Sequence, residues 1–141
     1  MGVPNFMNSP AGKTPMKSNR NPGGQDRAYR QLVHSALTVS HITVLETDLN
    51  IYGQCPLAEQ AREAVIEQRG YLENYIRRHP EFVNTLHPWP EDALAPAIVR
   101  SMITAGRKAS VGPMAAVAGA VAELVGKSLL DFSNEVIVEN G

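Results

Sequence analysis

The stretch VGPMAAVAGAVAELVG (residues 111–126) carries a single charge, Glu123, in sixteen residues and is built almost wholly from Gly, Ala and Val. It reads as a helix packed tightly in a core. Gly112 suits the cap and Pro113 the first helical position, where a missing N–H costs nothing. Small side chains let a second backbone or a flat ring come close. The unpaired N–H groups and positive dipole end of the first turn can receive an anion, and Arg107 and Lys108 stand just upstream. The plain reading is a helix against a sheet. The sharper one is a ligand site at its glycine entrance.

Working outward, EVIVENG (residues 135–141) reads as a buried strand over 136–138 running into an Asn-Gly turn. A polar cluster at the end of such a strand, Glu139, Asn140 and Gly141, is where ligands settle in open α/β sheets. Upstream, Pro96 opens a helix with Ile98, Val99, Met102, Gly106 and Ala109 facing inward, and GRKAS ends it. HPEFVNTLHPWPED (residues 79–92) is a proline-punctuated connector in which Trp89 reads as a packing anchor.

Before the connector, Leu57, Ala61, Ala64, Val65, Leu72, Tyr75 and Ile76 recur at helical spacing. Glu73 and Arg77 stand four apart in the favourable order, Gly70 lies on the wetter side, and Pro80 stops the helix. Residues 29–53 are dense in β-branched and aromatic types. Here Thr43, Leu45, Thr47, Leu49 and Ile51 fall on one face of an extended run and Ile42, Val44, Glu46, Asp48 and Asn50 on the other, with breaks expected near Ser35 and Ser40. The fold class is therefore α/β: small antiparallel strands and a buried strand packed on about three helices. Residues 1–26, rich in Pro, Gly, Asn and Ser, read as a disordered tail, and 27–141 as the domain.

Bulk properties narrow the function. The 141 residues carry a net charge of -1, so charge gives no reason to expect nucleic acid or an acidic membrane as partner. No run reaches the roughly 18 apolar residues of a membrane span. One cysteine, Cys55, excludes an intrachain disulfide and makes a cytosolic setting the simpler reading. Glu46 and Asp48, two apart on a strand, could serve a divalent cation or an acid/base pair, but a solvated sheet face is the favoured reading. His34, His41, His79 and His87 share no spacing, and the last two precede prolines as loop anchors. Cys55 at a helix start reads as an inert, partly buried thiol.

Taken in order, YR (29–30), ETDLNI (46–51), YIRRHPEF (75–82), AP and IV within 95–99, VGPMAAVAGAVAE (111–123) and EVIVENG (135–141) resemble a family of prokaryotic proteins of uncharacterised function within the ApbE-like superfamily. That superfamily is named for transferases that use FAD and magnesium to attach FMN to a Thr or Ser of a target protein. The resemblance implies a flavin nucleotide, FAD or FMN with magnesium, as ligand. It places ligand contacts at Gly112, Pro113, Met114, Gly119, Glu139, Asn140 and Gly141, with Glu123 at the position of an acid. It implies a second half beyond residue 141, so the chain reads as an N-terminal fragment. The transferases carry Gly-Ile-Ala-Lys-Gly on the corresponding helix, and Ala118 stands here at the lysine, which argues against the same transfer chemistry. The alternatives are a non-catalytic module that forms homo-oligomers, and an inactive fragment.

Overall fold

The computed structural model describes residues 27–28 and 36–141. The chain divides into two compact units, Met1–Val33 and His34–Gly141, and the second is described here. The expected tail over 1–26, Tyr29, Arg30, His34 and the break at Ser35 lie outside the described residues.

Strands β1 (Thr38–Val44) and β2 (Thr47–Gly53) form an antiparallel hairpin, paired from Val44↔Thr47 to Thr38↔Gly53. The continuous extended run expected over 42–51 is therefore wrong. The chain reverses at Leu45 and Glu46, and Leu45 takes a left-handed φ of 52°. That conformation costs a non-glycine residue about 1–2 kcal/mol, which is why neither residue signals a turn. The reversal puts Ile42 of β1 with Leu49 and Ile51 of β2 in the core, while Thr43 and Leu45 are exposed. Ser40, expected as a break, lies inside β1, where its buried hydroxyl accepts the Leu57 N–H at 3.0 Å.

Strand β3 (Val136–Asn140) pairs antiparallel with β2, giving the order β1-β2-β3. It is a half-buried edge strand rather than a buried one. Its pairing runs on to Asn140, opposite Leu49, and the Gly141 N–H donates to the Asp48 carbonyl at 3.0 Å. The expected Asn-Gly turn is thus not formed.

Helix α1 (Ala58–Arg78) buries Ala61, Ala64, Val65, Leu72 and Tyr75 and ends before a 3-10 turn at Pro80–Val83. A Cβ at Gly70 would meet nothing within 4 Å, as expected on the wetter side. Glu73 pairs with Arg69 at 3.6 Å, and the guanidinium of Arg77 donates to Asn74 instead of meeting Glu73. Helix α2 (Ala97–Ala109) buries Ile98, Val99, Met102, Ile103 and Gly106. Ala109 is exposed, contrary to expectation, because the helix ends there in the left-handed Ser110 (φ 57°). After a 3-10 turn at Pro113–Ala116, helix α3 (Val117–Leu129) buries Ala120, Val121, Val125 and Leu129.

The helices cover one face of the sheet. Ile42, Leu49 and Ile51 meet Leu57, Val65, Phe82, Ile98, Met102, Val125 and Leu129 in a single apolar core, which is the dominant stabilising term. Residues on the opposite face of the sheet, among them Val39, His41, Thr43 and Glu139, are exposed. Trp89 anchors the connector as expected: its Nε1–H donates to the Tyr75 hydroxyl at 3.2 Å, and that hydroxyl donates to Asp92 at 3.0 Å.

Candidate functional site

Two helical stripes of identical spacing face each other. Arg69, Leu72, Glu73 and Ile76 follow i, i+3, i+4, i+7 on α1. Met114, Val117, Ala118 and Val121 repeat those intervals through the entry to α3. Between them lies a hollow of about 370 Å³, bordered also by Glu46 and Thr47 of the hairpin and by Asn140 of β3. This volume falls in the range of about 300–1,000 Å³ usual for small-molecule sites. Its walls are mainly Leu72, Ile76, Met114, Val117, Ala118 and Val121, so they favour an apolar body.

Polar groups gather at the hairpin end. Arg69 is largely buried, with 22% of its side chain exposed. Its Nη1 donates to the Thr47 hydroxyl at 3.2 Å and its Nη2 to Glu46 at 3.0 Å. A backbone hydrogen bond, and then Arg69, hold the Glu46 carboxyl below its ordinary range. On the sheet side, Asn140 Nδ2 donates to the Ala118 carbonyl at 3.1 Å.

Of the residues expected at a ligand site, Met114 and Asn140 line this hollow, and so does Ala118, the position matched to the transferase lysine. Gly112 and Pro113 are buried elsewhere. A Cβ on Gly112 would lie 2.0 Å from the Thr85 carbonyl oxygen, so the close approach it permits is that of the connector backbone. Gly119 is exposed, and a Cβ there would meet nothing within 4 Å. Glu139 lies on the open face of the sheet, where it accepts from the Tyr52 hydroxyl at 3.3 Å. Gly141 continues the pairing with β2. Glu123 faces α2: it accepts from Lys127 at 2.6 Å and Ser101 at 3.3 Å, and the Lys127 bond lowers its pKa.

Neither upstream cation reaches the hollow. Arg107 pairs with Glu91 at 3.9 Å, and Lys108 borders a separate shallow depression with Arg100 and Glu123. Glu46 and Asp48 do not act as a pair. Glu46 is in the turn against Arg69, and Asp48 meets His41 Nε2 at 2.5 Å on the open face. Among the described residues no group of three or more His, Cys, Asp or Glu is placed to hold a metal ion.

The sequence reading missed the α1 wall, Arg69 above all. The signal was present, since Arg69 stands one turn from both Leu72 and Glu73. It was hidden because Leu72 and Ile76 were assigned wholly to the core.

The chain matches the family described as "AbpE bacteria" over residues 30–141. It belongs to that family. The chain is similar to proteins named UPF0280 protein. The one from Methanococcus aeolicus is 35% identical over 102 residues, covering 71% of this chain and 41% of the relative. That from Methanococcus vannielii is 41% identical with the same coverage, and that from Methanococcoides burtonii is 40% identical over 84 residues, 59% of this chain and 35% of the relative. The chain therefore spans about two fifths of the length of these relatives. Among the described residues no single helix is long and apolar enough to cross a membrane.

Proposed function

We propose that this domain binds the ring system of a flavin nucleotide, FMN or FAD, in the hollow between α1 and α3, as part of a family related to the ApbE-like proteins. The observation that carries this reading is the pairing of an apolar hollow of about 370 Å³ with the side-chain amide of Asn140 on its lining. An isoalloxazine needs both: apolar walls for its faces and hydrogen-bonding groups for its edges. The sequence resemblance to ApbE-like proteins independently points to the same ligand.

The chemistry we propose is binding rather than FMN transfer. Ala118 lines the hollow where the transferases have lysine, so the cation of that lysine is lacking there. The carboxylates at the rim, Glu46 and Glu73, both lie against Arg69 and do not form a magnesium site, so no metal enters the proposal. Titration of FMN fluorescence with the 141-residue chain tests it. A saturable change in the micromolar range is expected, and a flat response contradicts it.

A second reading is an association module. It is favoured by the sheet face turned away from the helices, where Val39, Tyr52 and Ile137 lie in register across three strands. In this reading the face packs against the further length that the relatives possess. Light scattering of a longer relative distinguishes the two, since a flavin-dependent state belongs to the first reading alone.

A further inference from the structure

Resting on the ring-binding reading, we propose that Arg69 holds the phosphate of the ligand and that Glu46 occupies the phosphate's place until the ligand arrives. Among the described residues that line the hollow, Arg69 is the one cation, so discrimination by charge falls to it. Its three partners are unequal. Thr47, itself buried, receives Nη1 at 3.2 Å and fixes the guanidinium in the wall. Glu46 and Glu73 have 85% and 58% of their side chains exposed, and ion pairs to such exposed groups are weak.

Glu46 follows the exposed Leu45 at the tip of the hairpin, where little packing restrains it. Its carboxylate can swing to solvent while the Thr47 bond keeps the guanidinium in position. The planar fork then offers two N–H groups to a phosphate, a geometry that an ammonium lacks. Glu46 thus acts as an internal competitor: it satisfies the cation in the free protein and lowers affinity for phosphate-bearing ligands.

The test is a set of fluorescence titrations with FMN and riboflavin on the unmodified chain, Arg69→Gln and Glu46→Gln, with circular dichroism on each. FMN should bind at least about tenfold more tightly than riboflavin. Arg69→Gln should bring FMN to the riboflavin level, and Glu46→Gln should raise the preference for FMN over riboflavin severalfold. Equal, saturable binding of the two flavins by the unmodified chain overturns the role of Arg69 and leaves the ring reading standing. Absence of binding by both removes the ring reading and this inference with it. If Arg69→Gln unfolds, Glu46→Gln decides: an unchanged or smaller preference for FMN overturns the exchange.

Discussion

The Asn140 side chain donates to the Ala118 carbonyl at 3.1 Å and so ties the edge strand to the first exposed turn of α3. Both residues line the hollow. Asn140→Ala should cost about 0.5–1.5 kcal/mol. Hydrogen exchange should rise at β3 and the start of α3, with α2 unaffected. Uniform acceleration across all three would contradict the local role.

Two glycines of the same segment should respond in opposite directions. Gly112→Ala drives a Cβ to 2.0 Å from the Thr85 carbonyl oxygen. Backbone cannot yield cheaply, so the loss should be about 3 kcal/mol or more. Gly119→Ala meets nothing within 4 Å inside α3 and should gain about 0.5–1 kcal/mol. Flavin affinity should be the same in Gly119→Ala as in the unmodified chain. Urea titrations of both variants check the signs.

Leu45 holds a left-handed φ of 52° while 72% exposed. Glycine there should relieve the strain without loss of packing and stabilise the hairpin by about 1 kcal/mol. A fall in melting temperature for Leu45→Gly would show that Leu45 makes contacts that outweigh its backbone cost.

Tyr75 links the connector to α1, and burial is the first cause that raises its pKa above the ordinary value of 10.0; the Trp89 N–H opposes the rise and Asp92 adds to it. A raised folded-state pKa means that its contribution to stability is complete below the unfolded value and lost as pH climbs through the folded one. The domain should therefore weaken above about pH 10. Tyr75→Phe should flatten that part of the profile and cost about 1–3 kcal/mol at neutral pH, because Trp89 and Asp92 both lose their partner. The single tryptophan reports the change by its emission.

The long-period features were legible in the sequence. The stripe Ala61, Ala64, Val65, Leu72 and Tyr75 gave α1, Pro80 its end, and Gly112–Pro113 the entry to the last helix, because helical periodicity and proline geometry are local. The hairpin was not legible, since Leu45 and Glu46 are not turn residues and the reversal is imposed by the pairing of β1 with β2. The Asn-Gly pair misled for the opposite reason: pairing with Leu49 overrides a local turn preference. Of the residues expected at a ligand, Met114 and Asn140 line the hollow. The glycines Gly112 and Gly119 were credited with ligand contact when one meets backbone and the other solvent. Arg69 was not legible as a lining residue because the hollow forms only where two helices come together.

The central claim is that the α1 and α3 stripes enclose the flavin ring. Amide chemical shifts recorded during an FMN titration test it most directly. The account predicts saturating shifts at Leu72, Ile76, Val117 and Val121, with Gly119 and Glu139 still. Shifts confined to the open face of the sheet, at His41, Asp48 and Glu139, would contradict it.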